Sequence, residues 1–167
     1  DAYFETDTKN YIIYDGANWR GYVSDGETLG ANGYSLDLDG TDDRVELGNA
    51  TILNSASAFS ISLWVKSSST GSTMYMFQSG TDTYANSISF YRGSAGTVDF
   101  LIGKGGSSVA YIRYGSEIFD GSWKHLVATF GSSTQTLYLN GSVASTTLTG
   151  TTPSSTVSTA GTSPHIG

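Results

Sequence analysis

The chain has 167 residues, with 26 Ser, 21 Thr, 21 Gly, 2 Pro and no Cys; that length permits one main domain with a small appendage, and the missing Cys excludes disulfides, thiolate chemistry and Cys-based zinc sites. A hydrophobic share of 38% with 3 Trp, 11 Tyr and 7 Phe excludes a disordered chain. Net charge is −7, and residues 1–46 hold 11 acidic against 3 basic residues, which argues against nucleic acid as a partner, while no apolar run is long enough to insert in a membrane.

The first 23 residues read as a small strand unit. Tyr3-Phe4, Tyr11 to Tyr14 and Trp19 to Val23 are apolar-aromatic bursts, and Asp7 to Asn10 and Asp15 to Asn18 supply turns. Residues 24–33 carry no periodicity and end in clustered Gly and Asn, which predicts a boundary between a unit at 1–28 and a domain at 34–167.

Strands then follow one another. Tyr34, Leu36 and Leu38 alternate with Ser35, Asp37 and Asp39, and Val45 and Leu47 alternate with Arg44 and Glu46. The clearest alternation is Phe59 to Lys66, with Phe59, Ile61, Leu63 and Val65 on one face. Further strands are expected at Met74–Gln78, Ser87–Tyr91, Thr97–Ile102, Val109–Tyr114, Lys124–Phe130, Thr136–Leu139 and Ser142–Leu148. Asn140-Gly141 predicts a two-residue type I′ hairpin loop. Thr147 to Ser163 has the composition of a linker, but Pro164-His165-Ile166-Gly167 resumes a strand. No window supports a capped helix. The expectation is an all-β, two-sheet antiparallel jelly-roll sandwich.

Two stretches carry a resemblance: Tyr34 to Leu47 followed by Phe59 to Lys66, and Gly121-Ser122-Trp123-Lys124-His125-Leu126-Val127-Ala128-Thr129-Phe130 followed by Thr136 to Gly141. This order resembles the laminin-G-like, concanavalin A-like jelly-roll domains over about residues 34–167. That resemblance implies the sandwich fold and permits glycan, calcium or protein binding. It also implies a final strand beyond His165-Ile166-Gly167, so the domain is expected either to lack that strand here or to receive it from a neighbouring chain. The segment Tyr3 to Trp19 resembles a short β-module of tailed-bacteriophage fibre, head and collar proteins.

Candidate site residues are few. Asp37, Asp39, Asp42 and Asp43 crowd one turn and either coordinate Ca2+ or cap the turn through their own backbone. Tyr84, Tyr91, Tyr111 and Tyr114 are the candidate sugar-stacking residues, against ordinary cross-strand packing. Trp64, Trp123 and Phe59 are assigned to the core, and His125 is expected half-buried with a backbone partner. Glu5, Glu27, Glu46 and Glu117 are scattered, so the paired carboxylates of a glycosidase are not evident, and no nucleophile elbow occurs.

The reading that follows is a non-enzymatic virion-surface structural or adhesion protein of a tailed bacteriophage, a head fibre, decoration or tail-associated protein touching other virion proteins and host glycans. The alternative is a carbohydrate-binding module of a secreted or cell-surface multidomain enzyme. Few charges or prolines guard Thr97–Ile102 and Ser142–Leu148 as sheet edges, so self-association is expected, with a homotrimer favoured.

Overall fold

The computed structural model describes residues 35–48, 51–69, 71–80, 86–105, 109–156 and 163–167, and the backbone alone of 2–5, 10–14 and 19–23. The chain divides into two compact units, Asp1–Asp37 and Leu38–Gly167. In the first, β1 (Ala2–Glu5), β2 (Asn10–Tyr14) and β3 (Trp19–Val23) form an antiparallel sheet in chain order, with Tyr3 opposite Ile12 and Tyr14 opposite Trp19. The three expected strands are all present. The expected turns and the boundary at 24–33 lie outside the described residues.

The second unit is built from two antiparallel sheets. Its strands are β4 (Val45–Glu46), β5 (Ala58–Val65), β6 (Met74–Gly80), β7 (Ser87–Arg92), β8 (Val98–Gly103) and β9 (Val109–Tyr114). After them come β10 (Lys124–Gly131), β11 (Thr134–Leu139), β12 (Ser142–Val143), β13 (Thr147–Thr149) and β14 (His165–Ile166). One sheet has the order β12-β11-β10-β5, the other β13-β9-β8-β7-β6-β14-β4.

Alternation decides which side chains meet between the sheets. Phe59, Ile61, Leu63 and Val65 of β5 face inward with Leu126, Ala128, Phe130 and Leu137. The larger sheet contributes Phe77, Ile88, Phe90, Val98, Phe100, Ile102 and Ile112. The rings interlock: Phe59 lies 6.0 Å edge-on to Phe100 and 5.5 Å from Phe130, and Phe90 lies 6.0 Å from Phe100. Each such buried side chain contributes roughly 1.5–3 kcal/mol by removal from water.

Several expectations are corrected. Residues 35–39 are not a strand; acidic Asp37 and Asp39 alternate with Leu36 and Leu38, but Leu36 is exposed and only the short β4 pairs. The single strand expected at 142–148 is two, because β12 belongs to the smaller sheet and β13 to the larger, with the chain crossing between them. Thr97–Ile102 is no edge: β8 lies between β7 and β9 and is buried on both faces. Trp64 and Trp123 are not core residues, with 64% and 47% of their surface exposed. Trp64 has the parity of Ser60 and Ser62, opposite the apolar row of β5, and parity overrides its hydrophobicity.

Other features fit. Asn140 (φ 50°) and Gly141 (φ 83°) take the paired positive φ that the tight β11–β12 hairpin requires. The described part of the Ser/Thr/Gly-rich stretch after β13, residues 151–156, packs against the sandwich. Thr152 Oγ1 donates to Gln135 Oε1 (3.0 Å), Gln135 Nε2 donates to the Phe100 carbonyl (3.0 Å), and Thr156 N donates to the Ala56 carbonyl (2.9 Å). His165-Ile166 does resume a strand, between β6 and β4.

One end of the core is closed by charge. Arg92 is fully buried; its Nη1 donates to the Ser72 carbonyl (2.6 Å), and its Nη2 and Nε donate to the carboxylate of Glu117. Glu117 also accepts from the Ile118 and Phe119 amides (3.1 and 3.0 Å). Gly96 (φ 81°) permits this approach, since a Cβ there would sit 2.5 Å from Glu117 Oε2. The Arg92 hydrogen bond chiefly lowers the Glu117 pKa. The folded chain therefore binds fewer protons than the unfolded one near the carboxylate range. The stabilisation is fully present above the unfolded value of about 4.3 and is lost as pH falls through the depressed folded value. Glu117→Ala is expected to cost about 1–3 kcal/mol at neutral pH by stranding the buried guanidinium, and urea denaturation should show that gap from wild type shrinking below pH 4.

Candidate functional site

The face of the larger sheet turned away from the core carries the polar and aromatic residues. Because Phe90 and Phe100 point inward, their neighbours Tyr91 and Asp99 point outward, as do Tyr111 and Arg113 on β9. Register aligns Tyr75, Tyr91, Asp99, Arg113 and Thr147 in one row across five strands. The adjacent row is Gln78, Ser89, Leu101, Tyr111 and Thr149.

An ion pair with a buried carboxylate organises this face. Asp99 is wholly inaccessible, yet both its oxygens are satisfied: Arg113 Nε donates to Oδ1 (2.7 Å), Arg113 Nη2 to Oδ2 (3.0 Å), and Thr97 Oγ1 also to Oδ2 (3.0 Å). This two-pronged geometry is the strong form of an arginine–carboxylate contact. It raises the Arg113 pKa, with smaller contributions from Tyr111 and Tyr91, so the guanidinium stays cationic. The same guanidinium lies 5.2 Å over the Tyr111 ring, and the Tyr75 and Tyr91 rings meet at 5.4 Å and 34°. Chemically, this is a set of aromatic surfaces around a fixed donor: aromatic faces stack on the C–H faces of a pyranose, and Arg113, 43% exposed, carries N–H groups for hydroxyls.

Of the tyrosines expected to bind sugar, Tyr91 and Tyr111 are brought to this face. Tyr114 is not: it has the parity of Ala110 and Ile112 and packs half-buried against the core. Tyr84 lies outside the described residues. The sequence reading missed Tyr75, Asp99 and Arg113. A carboxylate at the centre of the apolar run 98–102 was the available signal, but only the strand register pairs it with Arg113.

The acidic turn lies elsewhere, before β4. Asp39, Asp42 and Asp43 each bring a carboxylate oxygen within 4.8 Å of the others, whereas Asp37 stands outside the cluster. The turn is fixed by its own bonds, with Thr41 N donating to Asp39 Oδ1 (2.7 Å) and Asp39 N to Asp43 Oδ2 (3.1 Å) around Gly40 (φ 76°). Three exposed carboxylates with open coordination sides could hold a hard divalent cation such as Ca2+, water completing its 6–8 oxygens. The capping bonds use one oxygen each of Asp39 and Asp43 and leave the others available.

The histidines form no catalytic set among the described residues. His125 is half-buried as expected, but its ring partner is a side chain: Nε2 lies 3.0 Å from Ser62 Oγ, and the ring stacks on Trp64 at 4.9 Å. The amide of His125 donates to Asn140 Oδ1 (2.9 Å). A shallow cavity of about 230 Å3 beside the 117–124 loop holds two carboxylates, Glu117 and Asp120. Both are held below the usual carboxylate range, Glu117 by Arg92 and Asp120 by the Ser122 hydroxyl and then Lys124.

Residues 39–167 match the family described as the concanavalin A-like lectin/glucanases superfamily. The chain belongs to that superfamily. The match covers the sandwich and begins at the acidic turn, leaving the three-stranded N-terminal sheet outside it. A comparison with curated proteins found no match. The superfamily fold is compatible with carbohydrate contact, and no helix among the described residues is long and apolar enough to cross a membrane.

Asp42 makes no capping bond among the described residues, so it separates the two roles of the turn. Millimolar-scale Ca2+, as suits weak extracellular sites, is expected to raise the melting temperature of the wild-type chain and not of Asp42→Asn. With chelator present, the two should melt alike.

Proposed function

We propose that this superfamily domain is a non-catalytic carbohydrate-binding module displayed outside the cell, within a secreted or cell-surface protein. The observation that carries the reading is the outward row Tyr75, Tyr91, Asp99 and Arg113, with Tyr111 beneath the guanidinium. The buried Asp99 neutralises the arginine it orients, which suits hydroxyl-rich neutral sugars better than anionic ones. The non-catalytic part of the reading is supported by the carboxylates. Glycoside hydrolysis needs one carboxyl kept protonated opposite an ionised one, whereas Glu117 and Asp120 are both pushed toward the ionised form.

A second reading, a virion-surface adhesion protein, draws on the resemblance of the segment Tyr3 to Trp19 to short phage β-modules. Sugar contact through the same tyrosine face would serve adhesion equally. The domains encoded beside this chain distinguish the two: a catalytic neighbour favours the secreted module, and further short β-modules favour the virion.

A glycan array followed by calorimetry with the best neutral oligosaccharide tests the shared claim. Tyr111→Ala is expected to weaken binding about tenfold, the equivalent of roughly 1.4 kcal/mol of lost stacking, with the fold intact by circular dichroism. An array without hits, or a folded Tyr111→Ala variant binding as well as wild type, would contradict it.

A further inference from the structure

A bulge in β6 decides where Tyr75 points. The ladder pairs Tyr75 with Tyr91 and then Phe77 with Phe90, so Met76 is an extra residue outside the pairing. On a regular strand, residues two apart share a face, which would send Tyr75 into the core with Phe77. Inserting Met76 reverses that. Met76 and Phe77 are both buried, whereas Tyr75 emerges beside Tyr91, their rings 5.4 Å apart. The bulge therefore places a second ring next to Tyr91 on the outward face.

The row that Tyr75 joins is uneven. Tyr75 and Tyr91 stand half-buried on β6 and β7, and Arg113 stands 43% exposed on β9, over the Tyr111 ring. Between them β8 offers nothing to a ligand. Asp99 is inaccessible there, and Leu101 in the adjacent row is only 3% exposed. Beyond Arg113, Thr147 on β13 is exposed but carries no ring. The row thus holds two contact stations, Tyr75 with Tyr91 and Arg113 with Tyr111, separated by a bare strand. Neighbouring strands lie about 4.8 Å apart, so the stations span about 10–14 Å, against about 5 Å for one pyranose along a glycan chain. A single ring cannot touch both.

Building on the carbohydrate-binding reading, we propose that this face recognises a neutral glycan of at least three linked rings, laid across the strands, with Tyr75 setting that length. One terminal ring stacks on the Tyr75–Tyr91 platform, the middle ring passes over β8, and the third meets Arg113. Without Tyr75 the first station shrinks to the Tyr91 ring at its inner edge. The charge balance of the row, with Arg113 neutralised by Asp99 beneath it, leaves each ring to be held by stacking and hydroxyl hydrogen bonds.

Calorimetry with a length series of the neutral glycan that binds best, from one ring to six, tests this on the wild-type chain. Affinity is expected to rise at least tenfold between one and three rings and to level off beyond. Tyr75→Ala, folded by circular dichroism, should lose about tenfold on the trisaccharide, whereas Tyr75→Phe, which keeps the ring, should bind it like wild type. A monosaccharide bound as tightly as the trisaccharide would overturn the three-ring ligand and leave the carbohydrate-binding reading standing. So would a folded Tyr75→Ala variant that matches wild type on the trisaccharide. Binding at no length would overturn both.

Discussion

The pairing of Asp99 with Arg113 is the constraint on which the larger sheet rests. A strand buried on both faces reads as a continuous apolar run, and β8 obeys this except at Asp99, whose carboxylate sits with no solvent access. An isolated charge in that position would cost far more than one strand's packing recovers. Two prongs of Arg113 and the Thr97 hydroxyl meet the cost, and all three groups come from strand register or from a residue next to β8. In satisfying Asp99, Arg113 is laid over Tyr111, so the device that keeps the centre of the sheet folded also shapes the face proposed to contact sugar.

The two sheets handle polarity differently. In the larger sheet each buried charge is paired with a more exposed one, Asp99 with Arg113 on the outer face and Arg92 with Glu117 at the rim of the core. The smaller sheet carries no charged residue on the outer positions of β5, β10 and β11. They include Ser60, Ser62, Trp64, His125, Val127, Thr129, Thr136 and Tyr138, joined by the Ser62–His125 hydrogen bond and the Trp64–His125 stack. Paired charge gives a rigid, chemically specific surface.

The fold was legible because alternation and turn chemistry are local. Phe59 to Val65 declares its faces residue by residue, and Asn140-Gly141 declares its turn. Errors arose where a local signal met a tertiary decision. Trp64 and Trp123 are hydrophobic enough for the core, but the core is chosen by parity and by what lies opposite, and both were left outside. The stretch 142–148 is continuous in pattern, yet it serves two sheets, which only the crossover reveals. The candidate site was half legible. Tyr91 and Tyr111 were found as aromatics, Tyr114 was misplaced because it lies three residues from Tyr111 on the same strand and so has the opposite parity, and Asp99 and Arg113 are fourteen residues apart in sequence and adjacent only in the ladder. The acidic turn needed no register: Asp39, Asp42 and Asp43 converge within one loop, and only Asp37 fell away.

A double-mutant cycle on Asp99→Asn and Arg113→Gln, read by denaturant unfolding at neutral pH, tests the dependence of the sheet on this pair most directly. Each single change leaves one member of the pair facing a neutral partner, and the double change leaves none charged. The account predicts that the two losses are not additive, with a coupling energy of about 1–3 kcal/mol and a double variant more stable than the sum implies. Additivity within about 0.3 kcal/mol would mean that Asp99 and Arg113 are independent, and would contradict the claim that their contact holds the sheet and its outer face together.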